Sequence, residues 1–333
     1  EIRLSLVGSE MCIRDSDNPT GYGRIIKEND TFKAIVEQKD CDSEQAKVRE
    51  INSGIYWFKA EKLSGLLDKL GNNNAAGEYY LTDTVAVAEK KGVYTADSTD
   101  VVLGANSRSQ LAALNEVARK RKLAELMDEG VDIPLSDGII IGKDVKIGHD
   151  TVILPNTIIK GKTVIGNGCE IGPNSYIADC VIEDNVILNN VQAHESKVDS
   201  KAKAGPFVHL RPNTHLHSGV KIGDFVEVKN SEIGINTCIA HLTYIGDSDV
   251  GKGVNFGCGC VTANYDGIKK YRTTIGDNAF IGCNTNLIAP VTIGDNATTA
   301  AGSTITKNVP ADSLAVERGQ TRICLLYTSD AAD

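Results

Sequence analysis

Residues 138–177 read GIIIGKDVKIGHDTVILPNTIIKGKTVIGNGCEIGPNSYI, and the spacing of their isoleucines decides the fold. Ile141, Ile147, Ile153, Ile159, Ile165, Ile171 and Ile177 fall six residues apart, and Gly follows the first two, Ile165 and Ile171. After a less regular patch the register returns at Ala204, Leu210, Leu216, Ile222 and Val228. It slips by one to Ile233, Ile239 and Ile245, slips again to Val250 and Phe256, and resumes at Ile275, Ile281, Leu287 and Ile293. An α-helix has about 3.6 residues per turn, so a six-residue repeat would wander around its surface. A single flat strand needs period two. Short strands that each end in a bend satisfy the spacing, with the aliphatic residue pointing inward and Gly or Asn taking the corner. Three such sides make one coil of a triangular prism, a parallel β-helix whose coils bury their apolar residues by stacking on one another. An aromatic content of 5% suits so narrow an interior.

Upstream of the repeat, residues 17–104 alternate strand-like runs (32–36, 54–58) with helix-like ones (61–70, 82–91), an α/β pattern. Residues 109–127 carry Leu111, Leu114, Val117, Ala118, Leu123 and Met127 at near-helical spacing and read as a connecting helical arm. Both ends look foreign: residues 1–16 and 324–333 resemble translated sequencing-library adaptor and are set aside from fold reasoning, which implies a natural protein cut at both ends. The organisation expected is therefore 17–108 α/β, 109–137 helical linker and 138–323 β-helix.

The formal charge of −9 gives no long-range attraction to nucleic acid or to anionic lipid. The one basic run, 119–122, reads as the solvated face of a helix. No stretch approaches the roughly 18 apolar residues of a membrane span, and no signal peptide opens the chain, so a cytoplasmic protein is expected. Nine cysteines without a Cys-x-x-Cys pair imply neither a disulfide framework nor a thiolate zinc site; small buried thiols are the better reading.

On a coil of three six-residue sides, residues 18 apart sit one above the other. Arg211 and Lys229 are so spaced, each directly after an inward aliphatic residue. Two stacked cations suit an anion, most simply a phosphate. Pairing with carboxylates such as Glu227 is an equal alternative. His241, in Ala-His-Leu-Thr-Tyr, has no metal partner at ligand spacing, and either a structural role or that of a general base is open to it. His209, His215 and His217 raise the idea of a metal site, but His209 and His215 are six apart and belong to different sides of the prism. Between Thr262 and Ile275 the repeat is interrupted by an insertion that a solenoid must expel as a loop, with Asn264, Tyr265 and Lys270 as its polar or basic candidates.

Several of these motifs carry a resemblance. Ala-His-Leu-Thr-Tyr-Ile-Gly-Asp from Ala240, Asn-Tyr-Asp-Gly from Asn264, Leu-Arg-Pro from Leu210 and Val-Glu-Val-Lys from Val226 resemble the bacterial bifunctional N-acetylglucosamine-1-phosphate uridyltransferase/glucosamine-1-phosphate acetyltransferase family. Upstream, Asp-Asn-Pro-Thr-Gly-Tyr-Gly-Arg from Asp17, Val-Glu-Gln-Lys-Asp from Val36, Glu-Ile-Asn-Ser-Gly-Ile-Tyr from Glu50 and Gly-Glu-Tyr-Tyr-Leu-Thr-Asp from Gly77 are similar to the later part of its nucleotidyltransferase domain. The resemblance runs from about Asp17 to Thr321 and implies a partial, Rossmann-like α/β domain followed by a left-handed parallel β-helix of hexapeptide repeats. It implies acetyl transfer from acetyl-CoA to the amine of glucosamine 1-phosphate, then uridylyl transfer from UTP with Mg²⁺ to give UDP-N-acetylglucosamine, in a homotrimer.

Carried over residue by residue, Arg211, Lys229, Tyr244, Asn255 and Lys270 would hold the amino-sugar phosphate, and His241 would be the general base. Cys258, Asn264, Tyr265, Cys283, Ala301 and Arg318 would meet acetyl-CoA. Cys258 stands where the family more often has Ala, its role being a backbone N–H toward the thioester oxygen, and Cys283 stands where Ser is usual. Gly23, Glu37, Asn52 and Asn106 would contact the UDP-sugar, and Asn106 also Mg²⁺. The family's Gly-rich phosphate loop and the partner Asp for Mg²⁺ belong upstream of Asp17 and are not in this sequence, so uridyltransferase activity is expected to be lost. Rival readings are a nucleotide-sugar pyrophosphorylase whose β-helix serves only trimerisation, and a non-catalytic scaffold.

Overall fold

The computed structural model describes residues 9–17, 19–96, 98, 100, 103–105 and 107–323. They form two compact units, divided between Ala118 and Arg119.

The first unit is built on a five-stranded sheet of β1 (Ser9–Asp15), β2 (Arg24–Glu28), β3 (Thr31–Val36), β4 (Glu50–Phe58) and β5 (Lys91–Thr95), in the order β3-β2-β4-β1-β5. β1 runs antiparallel to β4 and parallel to β5. Of the stretch 1–16 set aside from the fold on sequence, Ser9–Asp15 is a strand of the sheet, a correction to its exclusion, while residues 1–8 lie outside the described residues. Met11 and Ile13 alternate inward and pack with Ile25, Phe32, Ile35 and Val85, the period-two pattern of a half-buried strand. A second correction follows from the first. The run 82–91 reads as one helix, yet the helix stops at Val87 (α2, Asp83–Val87) and Lys91 opens β5. The strand exists because β1 offers it a parallel partner, and tertiary pairing overrides local periodicity. The other helices are α1 (Ala60–Leu67) and α3 (Arg108–Asp128). Of the apolar residues read at near-helical spacing on the arm, Leu111 and Met127 are exposed and Leu123 is buried, as is Leu126, which that reading did not include.

The second unit is the prism. From Ile140 to Ala315 the chain winds through short parallel strands, each pairing with the strand three places later until Thr298–Thr299 pairs with Leu314–Ala315 two places on, so that three sheets of 10, 9 and 10 strands form its sides. The first face begins at Ile140–Ile141, the second at Lys146–Ile147 and the third at Val152–Ile153. Every inward aliphatic residue read from the repeat is buried, in one cluster that runs from Leu123 and Leu126 to Val309. Leu123 and Leu126 join Val131, Ile133 and Ile139 at its beginning, covering apolar surface that no preceding coil is there to bury.

A second inward position, two residues before the aliphatic one, takes small residues: Thr151, Thr157, Thr163, Cys169 and Ser175 are all buried. Thr151 shows how a hydroxyl fits there, donating to the Gly166 carbonyl at 2.8 Å and accepting from the Cys169 N–H at 3.0 Å. Cys169, Cys180 and Cys260 fill equivalent places, and burial pushes the thiols of Cys180 and Cys260 up to about 11, so these sulfurs are packing groups. Cys258 and Cys283 are not buried. Many corners hold Asn with positive φ, among them Asn156, Asn174, Asn190, Asn213 and Asn284. The register slips arise because corners gain or lose a residue while the inward column stays aligned, as in Ile165↔Ile182↔Val198↔Leu216. The insertion leaves the prism as a small hairpin, with Tyr265 paired to Lys270 and the Asp266 carboxylate accepting the Ile268 and Lys269 N–H groups.

Candidate functional site

Three cations gather at the edge of the first face. Arg211 follows strand Val208–Leu210, Lys229 closes strand Glu227–Lys229, and the register Leu210↔Val228 stacks one over the other, as the 18-residue spacing requires. Of the two sequence readings of Arg211, the pairing with Glu227 is present, Nη1 meeting Glu227 Oε1 at 2.8 Å, and the guanidinium charge also reaches Lys229. Lys270 arrives from the hairpin. Its contact, with burial, holds the Lys229 amine below its usual range, while Asp247 pulls the other way. Burial opposes ionisation of Asp247, yet hydrogen bonds from Asn230 and Asn264 and the charges of Lys229 and Lys270 keep it below the usual carboxylate range. Cations crowded in this way suit an anionic ligand.

Tyr244 and Asn264 complete the cluster. The register Glu227↔Tyr244 sets Tyr244 one coil above Glu227, and Asn264 Nδ2 lies 3.5 Å from Tyr244 Oη while donating to Asp247. Opposite Lys229 in the next coil is Gly246. A Cβ there would lie 2.3 Å from Tyr244 Oη and 2.8 Å from Asn264 Nδ2, so only glycine leaves room beside the ammonium. Asn264, expected to serve acetyl-CoA, therefore belongs by its contacts to the cationic cluster. Asp247 and Asn230 escaped the sequence reading; the Asp after Ile245-Gly246 looks like an ordinary corner residue until Asn230 is found beneath it.

His241 lies elsewhere. It ends strand Cys238–His241 of the third face, opposite Asp224, and Tyr244 opens the next strand three residues on. Its imidazole is exposed and, among the described residues, makes no hydrogen bond or ion pair. The register Ile239↔Phe256, Phe256↔Ile281 and Ile281↔Thr299 sets Cys258 over His241, Cys283 over Cys258 and Ala301 over Cys283. Four candidates scattered over sixty residues of sequence thus form one column along a corner. The carbonyls of this column are used, Gly259 N–H donating to His241 O at 3.4 Å, Asn284 N–H to Cys258 O and Gly302 N–H to Cys283 O at 2.7 Å. The N–H groups of Cys258, Cys283 and Ala301 donate to nothing among the described residues.

Asn255 sits outward on the third face, between Cys238 and Phe280, and so apart from the first-face cations with which it was grouped. Tyr265 is exposed on the hairpin, its hydroxyl donating to the Gly267 carbonyl. Arg318 lies past the last strand, near Gly302.

In the first unit, Gly23, Glu37 and Asn52 come together. A Cβ on Gly23 would lie 3.2 Å from Glu37 Oε1, and the Asn52 N–H donates to the Gly23 carbonyl at 2.9 Å. Burial raises the Glu37 carboxyl above its usual range. Tyr56, not singled out from sequence, accepts from Asn52 Nδ2, and burial pushes its hydroxyl up to about 12. Asn106 lies outside the described residues, so the Mg²⁺ ligand expected there has no structural account.

The family model described as bacterial transferase hexapeptide (six repeats) matches residues 272–307. The bifunctional protein GlmU of Clostridium acetobutylicum is 49% identical over 91% of this chain and 68% of its own length. That of Acetivibrio thermocellus is 50% identical over 92% of this chain and 68% of its own. Among solved structures, Francisella novicida UDP-N-acetylglucosamine acyltransferase aligns with 54% of this chain and 65% of its own at 17% identity and a TM-score of 0.31. Near-half identity that runs through both the α/β unit and the hexapeptide prism places the chain in the bifunctional GlmU family.

Proposed function

We propose that the β-helix transfers an acetyl group from acetyl-CoA to the amine of glucosamine 1-phosphate. The observation that carries this reading is the cluster of Arg211, Lys229 and Lys270 around Tyr244, Asn264 and Asp247. The cations suit the phosphate, and the polar groups suit sugar hydroxyls. His241 takes a proton from the amine as nitrogen attacks the thioester carbonyl. The C–N bond forms, the C–S bond breaks, and the departing thiolate is protonated as free CoA, so one proton passes from nitrogen to sulfur overall. The unpaired Cys258 N–H is available to the carbonyl oxygen as negative charge develops on it. Since Cys283 and Ala301 share that feature, it belongs to the corner rather than to one residue. The open edge of the corner suits an extended cosubstrate running along Cys258, Cys283 and Ala301.

Within one chain Asn255 and the first-face cations occupy different sides, which favours a site completed between chains. Phe207, Phe225 and Leu242 support this. They occupy successive corners where other coils carry Asn, at φ of 57°, 58° and 46°. Phe207 and Phe225 stack with ring centroids 5.1 Å apart, and all three side chains are more than half exposed. A bulky residue held in the left-handed region costs about 1–3 kcal/mol. A homotrimer whose subunits cover this strip would offset that cost and set a second chain beside His241. For the α/β unit, Gly23, Glu37 and Asn52 support contacts to a UDP-sugar.

The test follows free thiol released from acetyl-CoA in the presence of glucosamine 1-phosphate, with His241→Ala alongside. Loss of the general base is expected to lower kcat by about 10²–10⁴-fold. Equal thiol release by the two proteins would refute direct transfer through His241.

A further inference from the structure

The second face carries a cluster that acetyl transfer does not use. His215 and His217 flank the inward Leu216, so period two turns both imidazoles outward on the same side. The register Lys197↔His215 and Val198↔Leu216 sets Asp199 beneath His217, and His215↔Glu232 sets Glu232 above His215. The two rings lie 3.9 Å apart, tilted by 34°. Each spans the same two carboxylates. His215 Nε2 is 2.9 Å from Asp199 Oδ1 and His217 Nδ1 is 3.3 Å from Asp199 Oδ2; on the far side His215 Nδ1 is 2.9 Å and His217 Nε2 is 3.0 Å from Glu232 Oε2.

We propose that Asp199, His215 and His217 form a binding site for a divalent transition-metal ion of the zinc class, with Glu232 orienting both imidazoles from behind. One donor atom from each of the three already lies within 4.8 Å of the others. Donors about 2.0–2.1 Å from a tetrahedral ion lie ~3.3 Å apart, a spacing that the 2.9 and 3.3 Å contacts of Asp199 with the two imidazoles already approach. The far ring nitrogens meet a carboxylate, the arrangement that fixes ring orientation and raises basicity in metal-bound histidines. The Lys197 ammonium, 2.9 Å from Asp199 Oδ1, engages the oxygen already shared with His215 and leaves Oδ2 to an ion. The histidines expected from sequence to lie on different sides do so, His209 standing on the first face near His194. The site arises because Asp199 replaces His209 as the third donor. An ion here ties successive coils together on the second face, whereas His241 ends a strand of the third.

The test titrates the chelator-stripped 333-residue chain with Co²⁺ and follows its visible absorption, then adds Zn²⁺ to displace it. One Co²⁺ per chain is expected, with paramagnetically shifted His215 and His217 imidazole resonances, no sulfur-to-cobalt charge-transfer band, and indifference to excess Mg²⁺. The double variant His215→Asn/His217→Asn should lose this uptake, and Glu232→Gln should weaken it by about 10–100-fold. Far-ultraviolet circular dichroism and thermal melting report whether each variant folds. Should the double variant not fold, Glu232→Gln decides, since its side chain is half exposed. Unchanged Co²⁺ affinity in the folded double variant or in Glu232→Gln, a thiolate band, or no uptake at 1:1 by the unmutated chain would each overturn the proposal.

Discussion

Lys229→Met offers the sharpest perturbation, because its effects on stability and on binding have opposite signs. In the free protein Lys229 is pressed by Lys270 and partly desolvated, and its amine is held below the ordinary range. A lysine whose folded-state pKa is lowered destabilises the fold while it carries its charge, and the cost is relieved only as pH rises through the folded value toward the unfolded one. At neutral pH that cost is fully present. Replacing the ammonium with an isosteric thioether is therefore expected to raise the melting temperature of the ligand-free chain, most at neutral pH and least near pH 11. Binding should move the other way. A charge-assisted hydrogen bond to phosphate contributes about 1.5–3 kcal/mol, so its loss weakens glucosamine 1-phosphate binding by about 10–150-fold. At a ligand concentration 100 times the original Kd, ligand stabilisation is ~2.7 kcal/mol; in the variant at the same concentration it falls to between ~1.4 and ~0.3 kcal/mol. Melting curves of both proteins with and without the sugar phosphate give both quantities. A variant that melts lower than the parent and keeps its full ligand-dependent shift would refute the anion site.

The other expectations are simpler. Ile177→Ala removes a fully buried side chain from the inward column and should cost about 2–5 kcal/mol, read as a lower denaturant midpoint, whereas a loss under ~1 kcal/mol would mean the prism is loosely packed there. Phe225→Asn restores the residue other corners use at positive φ; a shift toward smaller species by sedimentation velocity is expected, and an unchanged association state would remove the strip of Phe207, Phe225 and Leu242 from the subunit interface.

The prism was legible because its cause is local. Each coil must bury one aliphatic residue per side, and that demand repeats along the chain at a spacing no helix or flat sheet produces. The same arithmetic foretold that Arg211 would stack on Lys229 and that His209 and His215 would part. Strand β1 was missed for the converse reason. Met11 and Ile13 make a short alternating signal, and residues around them look foreign, so only the pairing with β4 and β5 shows that they belong to the sheet.

What tertiary structure alone decided is which outward residues share a corner. Corners gain and lose residues, so the 18-residue interval does not connect Asn230 with Asp247, Asp247 with Asn264, His241 with Cys258, or Cys258 with Cys283. An inward column stays aligned because a void there costs free energy at every coil. The outer surface bears no such penalty, and its columns are set by the register that the core imposes. The sequence by itself therefore determined the tube and the residue types upon it, while the third dimension selected the groups that meet.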